Sequence, residues 1–300
     1  MKAKPADETY LFSNQDLKRL ILPLLVEQLL AITVGMADSI MVSSVGEAAV
    51  SGVSLVDTIF VLLINIFTAL ATGGAVVCGQ YLGKKRPEQA CQAADQLVLA
   101  TGILSILVMG LMYVLRTFIL NVVFGHIEPD VWNNCNIYFL IVSASIPFIS
   151  IYNAGAAIFR AQGDSKTPMK ISLLMNVINI IGNGILLYGF HFGVEGAAIP
   201  TLVSRMFAVV VILARAYKTD HVLHLTRPVV WKLHWPTLKK ILRIGVPNGL
   251  ENSMFQLGKI LVLSLVTQFG TAAIAANAVS NTVYYGKNVP LFRRNGYRKS

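Results

Sequence analysis

The sequence predicts an all-α polytopic membrane protein with a six-helix N-terminal lobe, followed by the first one to two helices of a second, parallel repeat. The composition supports this, because 55% of the 300 residues are hydrophobic and 13% are charged, whereas soluble domains carry about 25% charged residues. The chain also contains apolar runs of about 20 residues, the length at which a helix spans a bilayer. Finally, the segment Pro23–Ala49 recurs as Pro247–Ala273.

The apolar runs define the predicted elements. Helices are expected near residues 17–43, 53–81, 93–120, 134–159, 168–190, 194–217 and 240–269, with an eighth from about 272. The predicted units are a cytoplasmic N-terminus (1–16), the first lobe (17–217), a cytoplasmic inter-lobe link (218–240), the start of the second lobe (241–285) and a basic tail (286–300).

The charged residues set the expected orientation. Lys and Arg are concentrated in alternate loops, including residues 83–89 and the long link, whereas the intervening loops carry almost none. Because positively charged loops stay in the cytoplasm, the N-terminus is expected there. The net charge of +10 is thus explained by membrane orientation and does not indicate nucleic-acid binding.

The repeat indicates how the two parts of the chain are related. Its copies align without a gap, with Glu27 opposite Glu251 and Gly46 opposite Gly270. Six predicted helices separate the copies, so both enter the membrane in the same direction, as in parallel-repeat transporters. A complete second copy would need about 200 further residues by comparison with the first lobe. We therefore expect the chain to be a truncated or frameshifted form.

Two carboxylates lie within the first predicted helix. Glu27 and Asp38 fall on nearly the same face, and a carboxylate at this depth usually meets a partner or a water-filled cavity. Glu27 and Glu251 each follow a proline near a helix start, where the helix dipole could stabilise them. Asp38 has Val262 as its repeat equivalent, which favours a special role for Asp38 in the first lobe.

The fifth predicted helix carries a stripe of amides on one face, formed by Asn176, Asn179 and Asn183. Such a stripe faces protein or water, not lipid. It is compatible with interhelical hydrogen bonding and equally with a small-cation site, in which Asp38 would supply the charge or accept a proton.

Other polar residues give weaker indications. Lys259 lies deep in the seventh predicted helix and is expected to face a cavity or a carboxylate, while Asp57 is expected to be interfacial. The three histidines of the link (His221, His224 and His234) are interpreted as exposed loop residues, and the three cysteines as structural thiols. The sequence contains no nucleotide-binding P-loop motif and no evident nucleophile–base set, so we expect a protein that is not an enzyme.

Several segments together resemble the multidrug and toxic compound extrusion (MATE) transporters. They cover roughly residues 10–283 and agree with the family in order and spacing. The segments are MADSIMVSSVGEAAVSGVS, GQYLGKKRPEQA, FRAQGDSKTPMKISLLMNVINIIGN, GVEGAAIPTLVSR and IGVPNGLENSMFQLGKILVLSLVTQFGTAAIAANAVSN.

The resemblance implies twelve helices in two six-helix lobes around a central cavity, and exchange of Na⁺ or H⁺ for cationic, amphipathic drugs or metabolites. It implies a cation site at Asp38, Asn179, Asn183 and Thr201. Some members carry a second aspartate at the position of Asn183, so here one carboxylate would bear the coupling charge. Glu27, Glu251 and Lys259 are possible accessory charges.

We therefore expect an antiporter of a bacterial cytoplasmic membrane, with no cofactor beyond the coupling ion. Its expected partners are small organic cations and lipid, together with a missing C-terminal half or a second copy. Two alternatives stay open. One is a flippase for lipid-linked precursors, which should have a strongly cationic cavity; the other is a non-transporting fragment.

Overall fold

The computed structural model describes residues 14–125, 127–219, 222–226 and 233–287, with side chains for residues 21–280 of these ranges. Every regular element in these ranges is helical, which confirms the predicted all-α class. The elements are α1 (Asn14–Ser43), α2 (Glu47–Gly83), α3 (Pro87–Phe118), α4 (Pro129–Ser143), α5 (Ile146–Ala161), α6 (Lys166–Asn183), α7 (Glu195–Ala216), α8 (Trp235–Val266) and α9 (Thr271–Lys287). Short π-helical turns extend α3 over Ile119–Val123 and α6 over Gly184–Gly189, and a 3-10 turn extends α8 over Thr267–Phe269.

Five of the described helices are long and apolar enough to cross a membrane: α1, α2, α3, α6 and α7. The pair α4–α5 adds a sixth crossing if it is counted as one bent span. These six crossings agree with the predicted six-helix lobe. Helix α8 has 32 residues but falls outside this group, because polar residues such as Asn248, Glu251 and Lys259 interrupt its apolar sequence.

The span predicted at residues 134–159 is broken in the middle. Helix α4 ends at Ser143, α5 begins at Ile146, and the two are bent by 46°. Pro147 lies in the first turn of α5, and its missing N–H cannot continue the helical hydrogen bonding from α4. The Ser145 hydroxyl donates to the Val142 carbonyl at 2.6 Å within the break. The prediction of one continuous helix is therefore wrong.

The two copies of the repeat fold alike at their ends. In each copy a long helix with an internal proline leads into a glycine with positive φ, and a new helix starts at the next residue. The glycines are Gly46 (φ +133°) and Gly270 (φ +88°). Since other residues rarely adopt such a backbone conformation, the glycines explain why both copies change direction at the same point.

We expect Gly46→Ala to lower the free energy of unfolding by about 1–3 kcal/mol. Gly46 has φ +133° and ψ 169°, a region that is essentially restricted to glycine. Gly35→Ala is the matched control, because a Cβ there also meets nothing within 4 Å and α1 is ordinary helix at that point. Thermal unfolding of the purified protein in detergent measures both changes, and equal stability of the two variants would contradict the expectation.

Helix α2 lies at the centre of the described structure, where it packs against α3, α4, α5 and α8. Its closest approach to α8 is at two glycines. A Cβ added to Gly73 would lie 2.6 Å from the Ile241 carbonyl oxygen and 2.7 Å from the Gly245 nitrogen. A Cβ on Gly245 would lie 3.1 Å from the Ala69 carbonyl oxygen. The two helix backbones are therefore in direct contact, which fixes the start of the second repeat against the first lobe.

The described part of the predicted link packs on the lobe. Leu223 and Leu225 are buried, and the Asp95 carboxylate accepts hydrogen bonds from both the backbone N–H and the hydroxyl of Thr226. The Gln162 side-chain oxygen accepts the Leu223 N–H at 3.2 Å. Helix α8 then begins at Trp235, inside the range predicted for the link. The buried leucines and these hydrogen bonds hold the link close to α3 and α5.

Candidate functional site: a polar network between α1, α6 and α7

The polar network begins with a contact between α1 and α6. Asn183 is fully buried, and its Nδ2 donates to Asp38 Oδ1 at 2.7 Å. Asp38 is half-buried. A carboxylate in a membrane helix is costly unless it meets a polar partner. The contact therefore explains both the depth of Asp38 and the amide on the facing helix.

Two further predicted residues extend this network. Asn183 Nδ2 also points at Asn179 Oδ1, at 3.5 Å. Asn179 Nδ2 donates to Thr201 Oγ1 at 3.0 Å, and the Thr201 hydroxyl donates to the Ala197 carbonyl at 2.9 Å. The structure thus brings together all four residues of the predicted cation site. Asn176, the third amide of the stripe, is half-buried one turn away.

The orientation of the Asn183 amide follows from its partner. A carboxylate oxygen only accepts hydrogen bonds, so the amide must present its N–H group to Asp38. This leaves Asn183 Oδ1 buried with no hydrogen-bond partner. An unsatisfied oxygen beside a carboxylate is unusual in a protein interior, and oxygen atoms are the ligands that hard cations prefer.

A second carboxylate lies close to the network. Tyr138 donates its hydroxyl to Asp57 Oδ1 at 3.0 Å, and Asp57 interacts electrostatically with Asp38. Arg205 on α7 interacts with both carboxylates, and its Nη1 donates to Ser145 Oγ at 2.6 Å. Asp57 is thus a half-buried carboxylate with a hydrogen-bonding partner on α4, and its expected interfacial position stays a prediction.

Comparison with known protein families identifies the family to which this chain belongs. The family model described as MatE matches residues 23–185, which is more than half of the chain. The chain belongs to the MatE family. The match includes Asp38, Asp57, Tyr138, Asn179 and Asn183.

The alignments with curated relatives cover most of the chain. The uncharacterised transporter YisQ of Bacillus subtilis is 27% identical over 297 residues, covering 96% of this chain and 61% of YisQ. The probable multidrug resistance protein NorM of Thermotoga maritima is 26% identical over 286 residues, covering 93% of this chain and 60% of NorM. The chain thus spans about three fifths of the length of these relatives.

Solved structures share the fold. An inward-facing multidrug resistance MATE family transporter of the MOP superfamily superimposes with a TM-score of 0.81 at 23% identity, over 92% of this chain and 62% of that one. A MOP superfamily transporter from Pyrococcus furiosus gives a TM-score of 0.73 at 22% identity, over 93% and 66% of the two chains. The likeness confirms that this MatE chain is a polytopic helical membrane protein.

Glu27, one of the predicted accessory charges, has a defined partner in this MatE protein. Arg160 Nη2 on α5 donates to both carboxylate oxygens of Glu27, at 2.8 and 2.7 Å. Helix α1 begins at Asn14, so Glu27 lies in the helix interior and stabilisation by the helix dipole does not apply to it. The ion pair instead ties α1 to α5.

The accessory charges on α8 lie in different surroundings. Glu251 is exposed. Lys259 is half-buried, with Nζ 4.9 Å from the centre of the Phe255 ring, a cation–π distance. The Lys259 ammonium therefore lies over an aromatic ring of its own helix.

The remaining predictions concern the histidines and cysteines. His234 is exposed, as expected, His224 is half-buried, and His221 lies outside the described residues. The thiols of Cys78, Cys91 and Cys135 are all free and buried. No cluster of three His, Cys, Asp or Glu residues suited to a metal ion occurs in the part of the chain that the structure describes.

Sequence reasoning missed Arg205 and Tyr138. A signal for Arg205 was present, since it is a lone basic residue in the middle of an apolar span and intramembrane charges mark functional positions. Tyr138 offered no comparable signal, because tyrosines are common in membrane helices.

Proposed function

We propose that the protein is a cation-coupled antiporter that exports cationic, amphipathic drugs or metabolites across a bacterial cytoplasmic membrane. The proposal includes an N-terminus in the cytoplasm. The observation that carries it is the contact of Asp38 with Asn183, which holds a carboxylate beside an unsatisfied amide oxygen inside the lobe. The names of the curated relatives support it, since NorM of Thermotoga maritima is described as a probable multidrug resistance protein.

The coupling ion would act at Asp38. A Na⁺ ion at this carboxylate would be repelled by the positive end of the Asn183 N–H group, which points at Asp38 Oδ1. Rotation of the Asn183 amide by about 180° exchanges its nitrogen and oxygen, which are nearly equal in size. Asn183 Oδ1 would then face the cation, with Asn179 Oδ1 close by. A proton on Asp38 would be accommodated by the same rotation, with Asn183 Oδ1 as acceptor.

Coupling to transport requires the cation to prefer one conformation, because a ligand shifts an equilibrium only by its differential affinity for the two states. The residues of the network lie on three helices, α1, α6 and α7. Cation occupancy at Asp38 therefore changes the contact between α1 and the pair α6–α7. We propose that this change favours the conformation from which drug is released outward.

The experiment follows efflux of a fluorescent organic cation from cells that express the protein, with the Na⁺ and pH gradients varied separately. We expect efflux to follow one of the two gradients, and this result also identifies the coupling ion. Efflux that persists when both gradients are collapsed would overturn cation coupling. Absence of efflux, with the protein present in the membrane, would overturn the export function.

A further inference from the structure

Helix α8 runs beside the first lobe over most of its length. In its first half, a Cβ added to Gly245 would lie 3.1 Å from the Ala69 carbonyl oxygen of α2. At its other end, Ser264 Oγ donates to the Val123 carbonyl at 2.6 Å, where the extension of α3 ends. Because α2 and α3 are long and apolar enough to cross a membrane, α8 crosses it beside them.

One side of α8 is exposed and apolar throughout this crossing, and we call it the apolar face of α8. Its residues are Val246, Leu250, Met254, Leu257, Leu261 and Leu265. Since each residue turns a helix by about 100°, other side chains of the same segment fall on the opposite side. These are the polar residues Asn248, Glu251, Asn252, Gln256 and Lys259. Polar groups in a membrane helix face protein or water, so the apolar face is the side that suits acyl chains.

Two basic side chains extend the apolar face towards the start of the helix. Arg243 and Lys239 precede Val246 by three and seven residues, and both are exposed. At 1.5 Å per residue they lie about 4.5 and 10.5 Å beyond the apolar stretch, and the headgroup layer extends about 5–8 Å beyond the hydrocarbon. The adjacent Lys240 points to the lobe instead, since its Nζ donates to the Tyr81 hydroxyl on α2 at 2.8 Å. The two exposed cations therefore bracket the level of lipid headgroups.

We propose that α8 binds an anionic phospholipid, with the headgroup phosphate at Arg243 and Lys239 and the acyl chains along the apolar face. A guanidinium matches a phosphate group with two parallel N–H donors, and the lysine adds a second positive charge. Trp235, four residues before Lys239, is also exposed, and indole rings are enriched at the headgroup level. The proposal does not depend on drug export, because it concerns the surface of α8 alone.

The net charge of the headgroup decides which lipid binds. An anionic headgroup such as phosphatidylglycerol keeps the full negative charge of its phosphate beside the two cations. A zwitterionic headgroup such as phosphatidylcholine also brings an ammonium group, which Arg243 and Lys239 would repel. Basic residues at a membrane surface attract anionic lipids additively. We therefore expect α8 to prefer phosphatidylglycerol to phosphatidylcholine by at least about tenfold.

The test measures binding of fluorescent phosphatidylglycerol and phosphatidylcholine to the whole purified chain in an uncharged detergent. Lys239→Gln/Arg243→Gln should weaken phosphatidylglycerol binding at least about tenfold and leave phosphatidylcholine binding unchanged. The matched control is Lys84→Gln/Arg86→Gln, which removes the same two charges from exposed positions in the loop between α2 and α3. The control should change neither affinity by more than about twofold. All four substituted side chains are exposed, so both variants should fold, and size-exclusion profiles check this.

Several results would overturn the proposal. Equal affinity for the two lipids, or phosphatidylglycerol binding that survives Lys239→Gln/Arg243→Gln, would show that these cations do not select the headgroup. Equal losses in both double variants would show a general attraction of the basic surface, with no site on α8. Binding of neither lipid by a chain that is dimeric in light scattering would show that a second copy, and not lipid, covers the apolar face.

Discussion

Replacing Asp38 by asparagine is expected to reduce drug efflux to the background of cells that lack the protein. The substitution removes the negative charge that would hold Na⁺ or a proton, while the new amide oxygen can still accept the hydrogen bond from Asn183. The fold should therefore persist, since the pairing between α1 and α6 is kept. We expect the affinity for a coupling cation to fall by at least about tenfold, the effect of losing one adjacent charge. The amount of a fluorescent cation that accumulates in the cells measures the efflux. Immunoblots of membrane fractions measure the amount of protein in the membrane.

Asp130→Asn is the matched control. This variant makes the same chemical change at an exposed residue in the first turn of α4, away from the network. Efflux by this variant should be unaltered. Full efflux by Asp38→Asn, or equal losses in both variants, would contradict a coupling role for Asp38.

The second large effect is expected from Gly73→Ala, at the point where α2 and α8 cross. The added methyl group would lie 2.6 Å from the Ile241 carbonyl oxygen and 2.7 Å from the Gly245 nitrogen. Both atoms belong to the backbone, so no side chain can rotate away, and the helices must separate. Forcing extra volume into a packed interior costs about 1–3 kcal/mol, and we expect the free energy of unfolding to fall by this amount.

Gly79→Ala provides the comparison on the same helix. A Cβ at Gly79 meets nothing within 4 Å, so the gain in helix propensity, up to about 1 kcal/mol, should leave the protein as stable or more stable. Thermal unfolding in detergent reports both variants. A Gly73→Ala protein that is as stable as Gly79→Ala would show that the close crossing of α2 and α8 does not contribute to stability.

Much of the fold could be predicted from the sequence because a membrane helix has a strong local signal. A run of about 20 apolar residues is sufficient evidence for a span, and the repeat paired Gly46 with Gly270, where both copies start a new helix. The four residues of the network were also identified. Asp38 and the asparagines are conspicuous in apolar helices, and the resemblance to MATE transporters added Thr201.

The remaining features depend on which helices are neighbours, and hydropathy carries no information about this. Asp57 gained its hydrogen-bonding partner only from Tyr138, which is 81 residues further along the chain. Glu27 likewise gained a partner only from Arg160, which is 133 residues further along the chain. Pro147 was a local signal for the break, but Pro23 and Pro247 lie inside continuous helices, so a proline alone does not locate a break.

The long-range partners of α1 have a consequence for biosynthesis. Glu27 and Asp38 are made early, but Arg160 and Asn183 follow 133 and 145 residues later, which is roughly 7–30 s at a synthesis rate of about 5–20 residues per second. Two carboxylates left in hydrocarbon for that time would be costly. The nascent α1 must therefore wait in a wet or protein-lined environment, and it completes these contacts only after α5 and α6 have been synthesised.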